Sequence, residues 1–335
     1  MPTQTSTPNP TRVQCWCGNR ALQPFSDDYA RCDACETLVY SGQPAQADPR
    51  VRDDANDFYG WEYFHSFQEG RNQYPDIQTR ARTDLPERGA YWLNALTKYK
   101  LPPAKVLELG SAHGGFVALL RQAGFDATGL DLSPAIVEMA TRTFGVPMLT
   151  GPIEDQLVAP SSLDAIVLMD VIEHMPDPVG SMRCCLDLLK ADGVLLIQTP
   201  RYVEGKSFDD ITRAADARFA QQFRPGEHLH LFSQRSLAML FERLGATHVK
   251  FLPPIFWFYD QFMVVSREPI VETSPEFRER ALSQTTSRRM VQALLDGEDR
   301  FRDLLGKHRS LLSENTRLRA ELDAIRSPHR RTIAA

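Results

Sequence analysis

The sequence predicts an α/β chain, with a mostly parallel sheet covered by helices, a small metal-binding module in front and a coiled coil behind. Three patterns carry that expectation. Short β-rich apolar runs alternate with amphipathic stretches from Lys105 to about Ser266, as strand–helix–strand units do. Four cysteines fall between Cys15 and Cys35. From Met290 to Ile325 apolar residues recur at alternating steps of four and three. The organisation expected is a zinc module over residues 1–45, a linker and helical lid over 46–100, a core over 101–270 and a helical tail over 271–335.

The cysteines follow the pattern C-x-C-x14-C-x2-C, two close pairs separated by room for a β-hairpin. Each short turn supplies two thiolates, and Gly18 lets the first close tightly. Four thiolates complete a tetrahedral zinc shell, so Cys15, Cys17, Cys32 and Cys35 are expected to hold a structural Zn2+ with no position left for catalysis. A disulfide framework is the weaker reading, because Met1–Pro10 is Thr/Pro-rich and lacks the basic and apolar regions of a secretion signal. Cys184 and Cys185 lie in a helical stretch and are expected to be packed.

Residues 43–57 are polar with two prolines and read as a linker. The aromatic block FYGWEYFHSF follows, then a helix at about Glu87–Lys98. Strands are expected at Val106–Leu109, Ala127–Leu130, Ala165–Met169 and Val194–Gln198, with a later pair near Thr247–Phe251 and Phe258–Ser266. Helices are expected at Gly115–Ala123, Pro134–Phe144, Pro178–Leu189 and Gln234–Leu244. In the tail, Met290, Gly297, Leu304, Leu311, Leu318 and Ile325 take heptad position d, and Leu294, Phe301, His308, Asn315 and Leu322 take position a. Glu314 with Arg319, and Glu321 with Arg326, are then g–e′ pairs of a parallel dimer, so residues 290–325 are expected to self-associate. A single helix folded onto the body is the alternative.

Composition removes several classes. The chain has 335 residues, 42% hydrophobic, with 38 Lys+Arg against 43 Asp+Glu. No run approaches the roughly 18 apolar residues that span a bilayer, and a net charge of −5 disfavours nucleic acid as a partner. A cytoplasmic location is expected. From Arg300 to Arg331 there are nine Lys/Arg and four Asp/Glu, read as a solvated helix face, with contact to an anionic membrane the lesser alternative.

The most informative stretch is VLELGSAHGGF at 106–116. A buried strand carries Glu108, then Gly110, Ser111 and Gly114 lead into a helix, so a ligand can approach the backbone where glycine leaves out a β-carbon. Asp131 ends the next strand, 17 residues beyond Gly114, where a carboxylate can take both hydroxyls of a ribose. Ser133-Pro134 reads as a helix cap.

Together with LDAIVLMDVIEHMPDP at 163–178 and LKADGVLLIQTP at 189–200, these motifs resemble class I S-adenosylmethionine-dependent methyltransferases. The resemblance covers roughly 100 residues in the family's order. It implies a Rossmann-like seven-stranded sheet, parallel with one antiparallel strand, and S-adenosylmethionine as cofactor. It places Glu108, Gly110, Ser111 and Gly114 along the methionine and sugar portions, Asp131 and Leu132 at the ribose, and Ile153 and Glu154 beside the adenine. Asp170, Val171 and His174 would face the cofactor from the fourth strand. Ala112 stands where the family often has glycine, and Pro152 where an acid often meets the adenine amino group.

A four-cysteine module in front of such a domain is similar to that of bacterial sugar methyltransferases, some of which carry Y-x-E-H-L-x-x-F-S. Residues 225–233 read PGEHLHLFS, so Glu227 and His228 match while Pro225 replaces the tyrosine. His228, oriented by Glu227, is the first candidate base, and His230 the second. His113 is expected at the cofactor's methionine end or at the helix cap. Tyr59, Tyr63 and Phe64 form a lid or a packed cluster; Arg80 and Arg82 grip an anionic acceptor or are exposed helix charges. The implied function is O-methylation of a saccharide, nucleotide sugar or polysaccharide terminus. The alternatives are C-methylation of a keto-sugar, methylation of another small metabolite, or a degenerate scaffold that assembles partners through its coil.

Overall fold

The computed structural model describes residues 14–332 except 72, 215–216 and 257–258, with side chains as far as residue 323. The residues before 14, Phe258 and the side chains of Ile325 and Arg326 lie outside the described residues. The chain opens with an antiparallel hairpin and a third strand, β1 (Leu22–Pro24), β2 (Tyr29–Cys32) and β3 (Leu38–Tyr40). A π-helical segment at Tyr63–Arg71 leads to α1 (Ile77–Asp84), then to a π-helical turn at Leu85–Gly89 and α2 (Ala90–Leu96).

The core follows as β4 (Lys105–Leu109), α3 (Gly115–Gln122), β5 (Asp126–Asp131), α4 (Pro134–Phe144), β6 (Met148–Thr150), β7 (Leu163–Met169), α5 (Pro178–Leu188) and β8 (Leu189–Pro200). It ends with α6 (Phe208–Thr212), β9 (His230–Leu231), α7 (Gln234–Arg243), β10 (His248–Leu252) and β11 (Asp260–Ser266). Two further helices are α8 (Pro275–Leu282) and the 47-residue α9 (Thr286–Thr332).

Seven strands form one sheet in the order β10-β11-β8-β7-β4-β5-β6, with β11 antiparallel to both neighbours and the other pairs parallel. Successive strand side chains point to opposite faces. Val106, Val167, Leu196 and Val264 therefore join one buried layer with α2, α3 and the start of α9. Leu107, Leu168, Leu195, Ile197 and Val265 join the other, with α5 and α7. Burial on both faces explains why these strands read as unbroken apolar runs. Ser133 caps α4 by accepting from Ile136 N at 3.2 Å, with Pro134 in the first turn. β6, short and largely half-buried, has no comparable apolar signal.

The cysteine hairpin does not stand apart from the core. β3 pairs with β9, Leu38 opposite Leu231 and Val39 opposite His230, in a second sheet ordered β1-β2-β3-β9. At the other end, α9 lays Val291, Leu295 and Glu298 against the body. The expected seam residue Met290 is 70% exposed while Leu294 packs against the body, so the start of the helix uses a face that only partly overlaps its heptad stripe. No helix among the described residues is long and apolar enough to cross a membrane.

Candidate active site

The carboxyl ends of β4, β5 and β7 open into one cavity that the 59–92 segment covers from above and the 222–228 loop closes at one side. Gly110 sits at φ +69°, and a β-carbon there would fall 2.6 Å from Val171 Cγ2. Ser111 ties the two strand ends together, its hydroxyl donating to Glu108 O at 2.9 Å and accepting from Leu130 N at 3.0 Å. Asp131 is buried and accepts from Ala112 N at 2.9 Å and Ser133 N at 3.2 Å. Burial raises its pKa, against the pull of those backbone amides.

Glu108 lies in the same wall, and burial pushes its carboxyl well above the usual carboxylate range. Among the described residues its Oε2 has no hydrogen-bond partner. A buried, unsatisfied acceptor beside a buried carboxylate suits a ligand that brings hydroxyl or ammonium donors.

A polar chain underlies this wall. Trp92 Nε1 donates to Gln198 Oε1 at 2.9 Å, and Gln198 Nε2 donates to both oxygens of Asp170 at 3.2 and 3.1 Å. Asp170, held at φ +57°, lies 3.5 Å from Arg88, which also pairs with Asp84. Gly115 N donates to His113 Nδ1, which leaves the ring proton on Nε2, 3.2 Å from Asp84. Burial opposes ionisation of Asp84, but His113, Arg80 and Arg88 together hold its carboxyl below the ordinary range.

The facing wall is built from the 222–228 loop and the aromatic segment. His228 Nδ1 lies 2.9 Å from Gln222 O, and a carbonyl only accepts, so Nδ1 carries the proton and Nε2 keeps its lone pair. His174 is fixed the same way, Nδ1 donating to Glu227 O at 3.1 Å, and its ring lies 4.9 Å from that of His228. Burial, then His174 and Arg224, drives the pKa of His228 well below the usual value, and burial also lowers that of His174. Glu173 accepts from Thr199 Oγ1 at 2.9 Å, and burial raises its carboxyl well above the ordinary range. Glu173, His174 and His228 offer one oxygen and two nitrogens all within 4.8 Å of one another, a set able to receive and share a proton. Glu227 is buried, its Oε1 accepting from Tyr63 Oη at 2.9 Å and Arg224 Nη1 at 3.3 Å.

The cavity thus gathers Glu108, Gly110, Ser111, Asp131, Leu132, Ile153, Glu154, Asp170, Val171, His174, Glu227 and His228. Two expected residues do not line it. Gly114, at φ +75°, serves the approach of α4, since a β-carbon would meet that of Ala140 at 3.0 Å. His230 pairs along β9 against β3, its ring 5.7 Å from Phe232, and burial lowers its pKa to about 4. Tyr59, Tyr63, Phe64 and Arg80 line the cavity, while Arg82 is exposed. Sequence reading missed Asp84, Arg88, Glu173 and Arg224. For Glu173 a signal was present, in the D-V-I-E-H stretch itself.

Away from the cavity, Cys15 Sγ lies 3.5 Å from Cys35 Sγ and Cys17 Sγ 3.6 Å from Cys32 Sγ, with all four sulfurs within 4.8 Å of one another. Zn–S bonds of about 2.3 Å need tetrahedral edges of about 3.8 Å, so the donor set and spacing fit a closed metal site.

The family described as "Methyltransferase domain" matches residues 81–250. Among curated proteins, the chain is 30% identical over 128 residues to the ubiquinone biosynthesis O-methyltransferase of Xanthomonas campestris pv. campestris, covering 35% of this chain and 54% of that one. It is 35% identical over 106 residues to the protein of that name from Xylella fastidiosa, covering 30% and 43%. The chain spans about half the length of the curated relatives it matches. Among solved structures, magnesium protoporphyrin IX methyltransferase from Synechocystis aligns at TM-score 0.46 and 16% identity, over 64% of this chain and 98% of that one.

Proposed function

The chain belongs to the methyltransferase-domain family, and from that premise we propose that it transfers the methyl group of S-adenosylmethionine to a hydroxyl of a saccharide or nucleotide-sugar acceptor. One observation carries the proposal: the unpartnered Nε2 lone pair of His228 opens into the same cavity as Asp131, Gly110 and the unsatisfied Glu108 oxygen. When bound, S-adenosylmethionine supplies a methyl group already activated on a sulfonium. Asp131 would hold the ribose hydroxyls, Gly110 would admit the ligand to the backbone, and Ile153 with Glu154 would flank the adenine. His228 would take the acceptor proton as the C–O bond forms and the methyl–sulfonium bond breaks to leave S-adenosylhomocysteine, with His174 and Glu173 beside it. Glu227, fixed by Tyr63 and Arg224, holds the loop that presents His228.

The facing wall combines the rings of Tyr59, Tyr63 and Tyr74 with the polar ends of Gln222 and Arg224. Such a surface packs the C–H face of a sugar and bonds its hydroxyls at the edge. The four cysteines would hold Zn2+ as a closed structural site, and the chain would work in the cytoplasm, where activated sugars are made. A second reading, a phenolic acceptor, has the names of the curated relatives in its favour.

Methyl incorporation from labelled S-adenosylmethionine, across nucleotide sugars, lipid-linked glycans, keto-sugars and catechols, tests the proposal. Transfer to a saccharide oxygen is expected. Transfer to a phenol alone, or to carbon, replaces the acceptor class. Calorimetry that finds no binding of S-adenosylhomocysteine removes the enzyme and leaves the scaffold.

A further inference from the structure

Helix α9 turns two different faces outward along its length. Its first turns are fixed to the body by Val291, Leu295 and Glu298, and by Arg302, whose guanidinium lies 4.1 Å over the Tyr91 ring. Beyond it about 30 residues run on, about 45 Å at 1.5 Å per residue. From residue 301 onward Phe301, Leu304, Leu311, Leu312, Leu318 and Leu322 are each at least 44% exposed. At 3.6 residues per turn this stripe lies about 130° round the helix from the face that grips the body, so folding α9 further onto its own chain cannot cover it.

We propose that this stripe binds a second copy of the chain as a parallel two-stranded coiled coil over residues 301–325. The stripe keeps a seven-residue period, with Leu304, Leu311 and Leu318 at d and Phe301, His308, Asn315 and Leu322 at a. Charge settles the occupant and its direction. In a parallel pair Glu314 of one copy faces Arg319 of the other, and Glu321 faces Arg326, at g and e′ positions. An antiparallel pair over the same residues would set Glu314 against Glu314 and leave Arg319 facing Leu305, without an acidic partner. Asn315 at an a position bonds across the seam to its own copy and favours two strands over three. Both bodies then hang from the same end of the coil, side by side, each with a complete cavity.

Gel filtration with light scattering on the full chain tests this. The wild type is expected at about twice its 37.9 kDa mass, and Leu311→Glu with Leu318→Glu at the mass of one chain. An unchanged near-UV spectrum and main thermal transition in that variant show that the body is still folded. Asn315→Cys is expected to cross-link to doubled mass under mild oxidation, as only a parallel seam in this register allows, while the wild type does not. A wild type of single-chain mass at 100 µM overturns the proposal. So does a double variant that keeps the doubled mass, and an Asn315→Cys chain that fails to cross-link overturns the parallel register. None of these readouts depends on methyl transfer.

Discussion

At one end of the cavity each candidate cofactor residue, from Glu108 and Gly110 through Asp131 to Glu154 and Val171, lies within five positions of a strand's carboxyl end. The acceptor end is assembled across the whole chain: Tyr63 meets Glu227 over 164 positions and Tyr29 meets His228 over 199. Sheet hydrogen bonds fix the first end directly. The second depends on a loop that three separate segments grip, namely the 59–74 aromatics, the β7–α5 connection through His174, and the cysteine hairpin through β3. The two ends should therefore fail separately, and that independence is what the following tests probe.

The sharpest test is His228→Ala. Loss of a positioned base costs about 10²- to 10⁴-fold in kcat, and the dissociation constant of S-adenosylhomocysteine should move less than about threefold, because no cofactor-end residue is touched. Turnover and calorimetry on one preparation separate the two readouts. Full turnover at saturating acceptor removes His228 from the mechanism.

Asp131→Ala is the mirror experiment. Hydrogen bonds to a charged group contribute about 1.5–3 kcal/mol, so cofactor affinity should fall about 10- to 100-fold, with kcat at saturating cofactor largely kept. Asp131→Asn retains acceptor capacity for Ala112 N and Ser133 N, and reports how much of the loss is structural. A fall in kcat alone would show that the two ends are coupled.

Much of the cofactor end was legible in the sequence because its constraints are local. Gly110 and Asp131 sit where strand meets helix, and a β-carbon or a lost carboxylate there has immediate consequences. The sheet was legible because burial on both faces writes itself as apolar runs. The acceptor end was legible at Glu227, His228 and the aromatic block, but its assembly was not, because contacts across 150 positions or more leave no periodic trace. The π-helical Tyr63–Arg71 also departs from the 3.6-residue repeat by which helices are read. His230, the second candidate base after His228, is taken out of the cavity lining by the pairing of β9 with β3.

Removing metal from the four cysteines should weaken the acceptor end alone. Tyr29 Oη donates to His228 O at 2.9 Å and accepts from Arg224 N at 3.2 Å, so the hairpin holds the loop at its centre. Treatment with a thiol-reactive mercurial and a chelator is expected to release about one zinc per chain. It should lower kcat/KM at least about tenfold and leave S-adenosylhomocysteine affinity within about threefold. Equal loss at both ends would mean that the hairpin supports the whole fold.

Tyr63→Phe removes one donor from a buried carboxylate whose second oxygen is already unpaired. A hydrogen bond to a charged group contributes about 1.5–3 kcal/mol, and Arg224 still donates to the same oxygen. Tm should drop by a few degrees, and kcat/KM about five- to tenfold through disorder at Glu227. Tyr59→Phe, at a ring packed edge-on to His174, should cost less, because its ring contact with His174 is kept.

The smallest effect is in pH, and the buried histidines and the buried carboxyls act with opposite signs. His174 and His228 have folded pKa values below 6.5, so as pH falls through 6.5 the unfolded chain takes up protons that the folded one refuses, and stability drops on the acid side. Glu108 has a folded pKa well above 4.5, so as pH rises above 4.5 the unfolded chain releases a proton that the folded one keeps, and stability drops on the alkaline side. Each group contributes at most about 1.4 kcal/mol per pH unit within its window. His228→Gln should flatten the loss of Tm between pH 6.5 and 5, and Glu108→Gln should flatten the decline above 4.5, each leaving the other limb in place. The low pKa of His228 also keeps its base form populated below pH 6.5, so the acid limb of kcat should lie under that value. A wild-type kcat that halves near 6.5 would place the essential proton on another group.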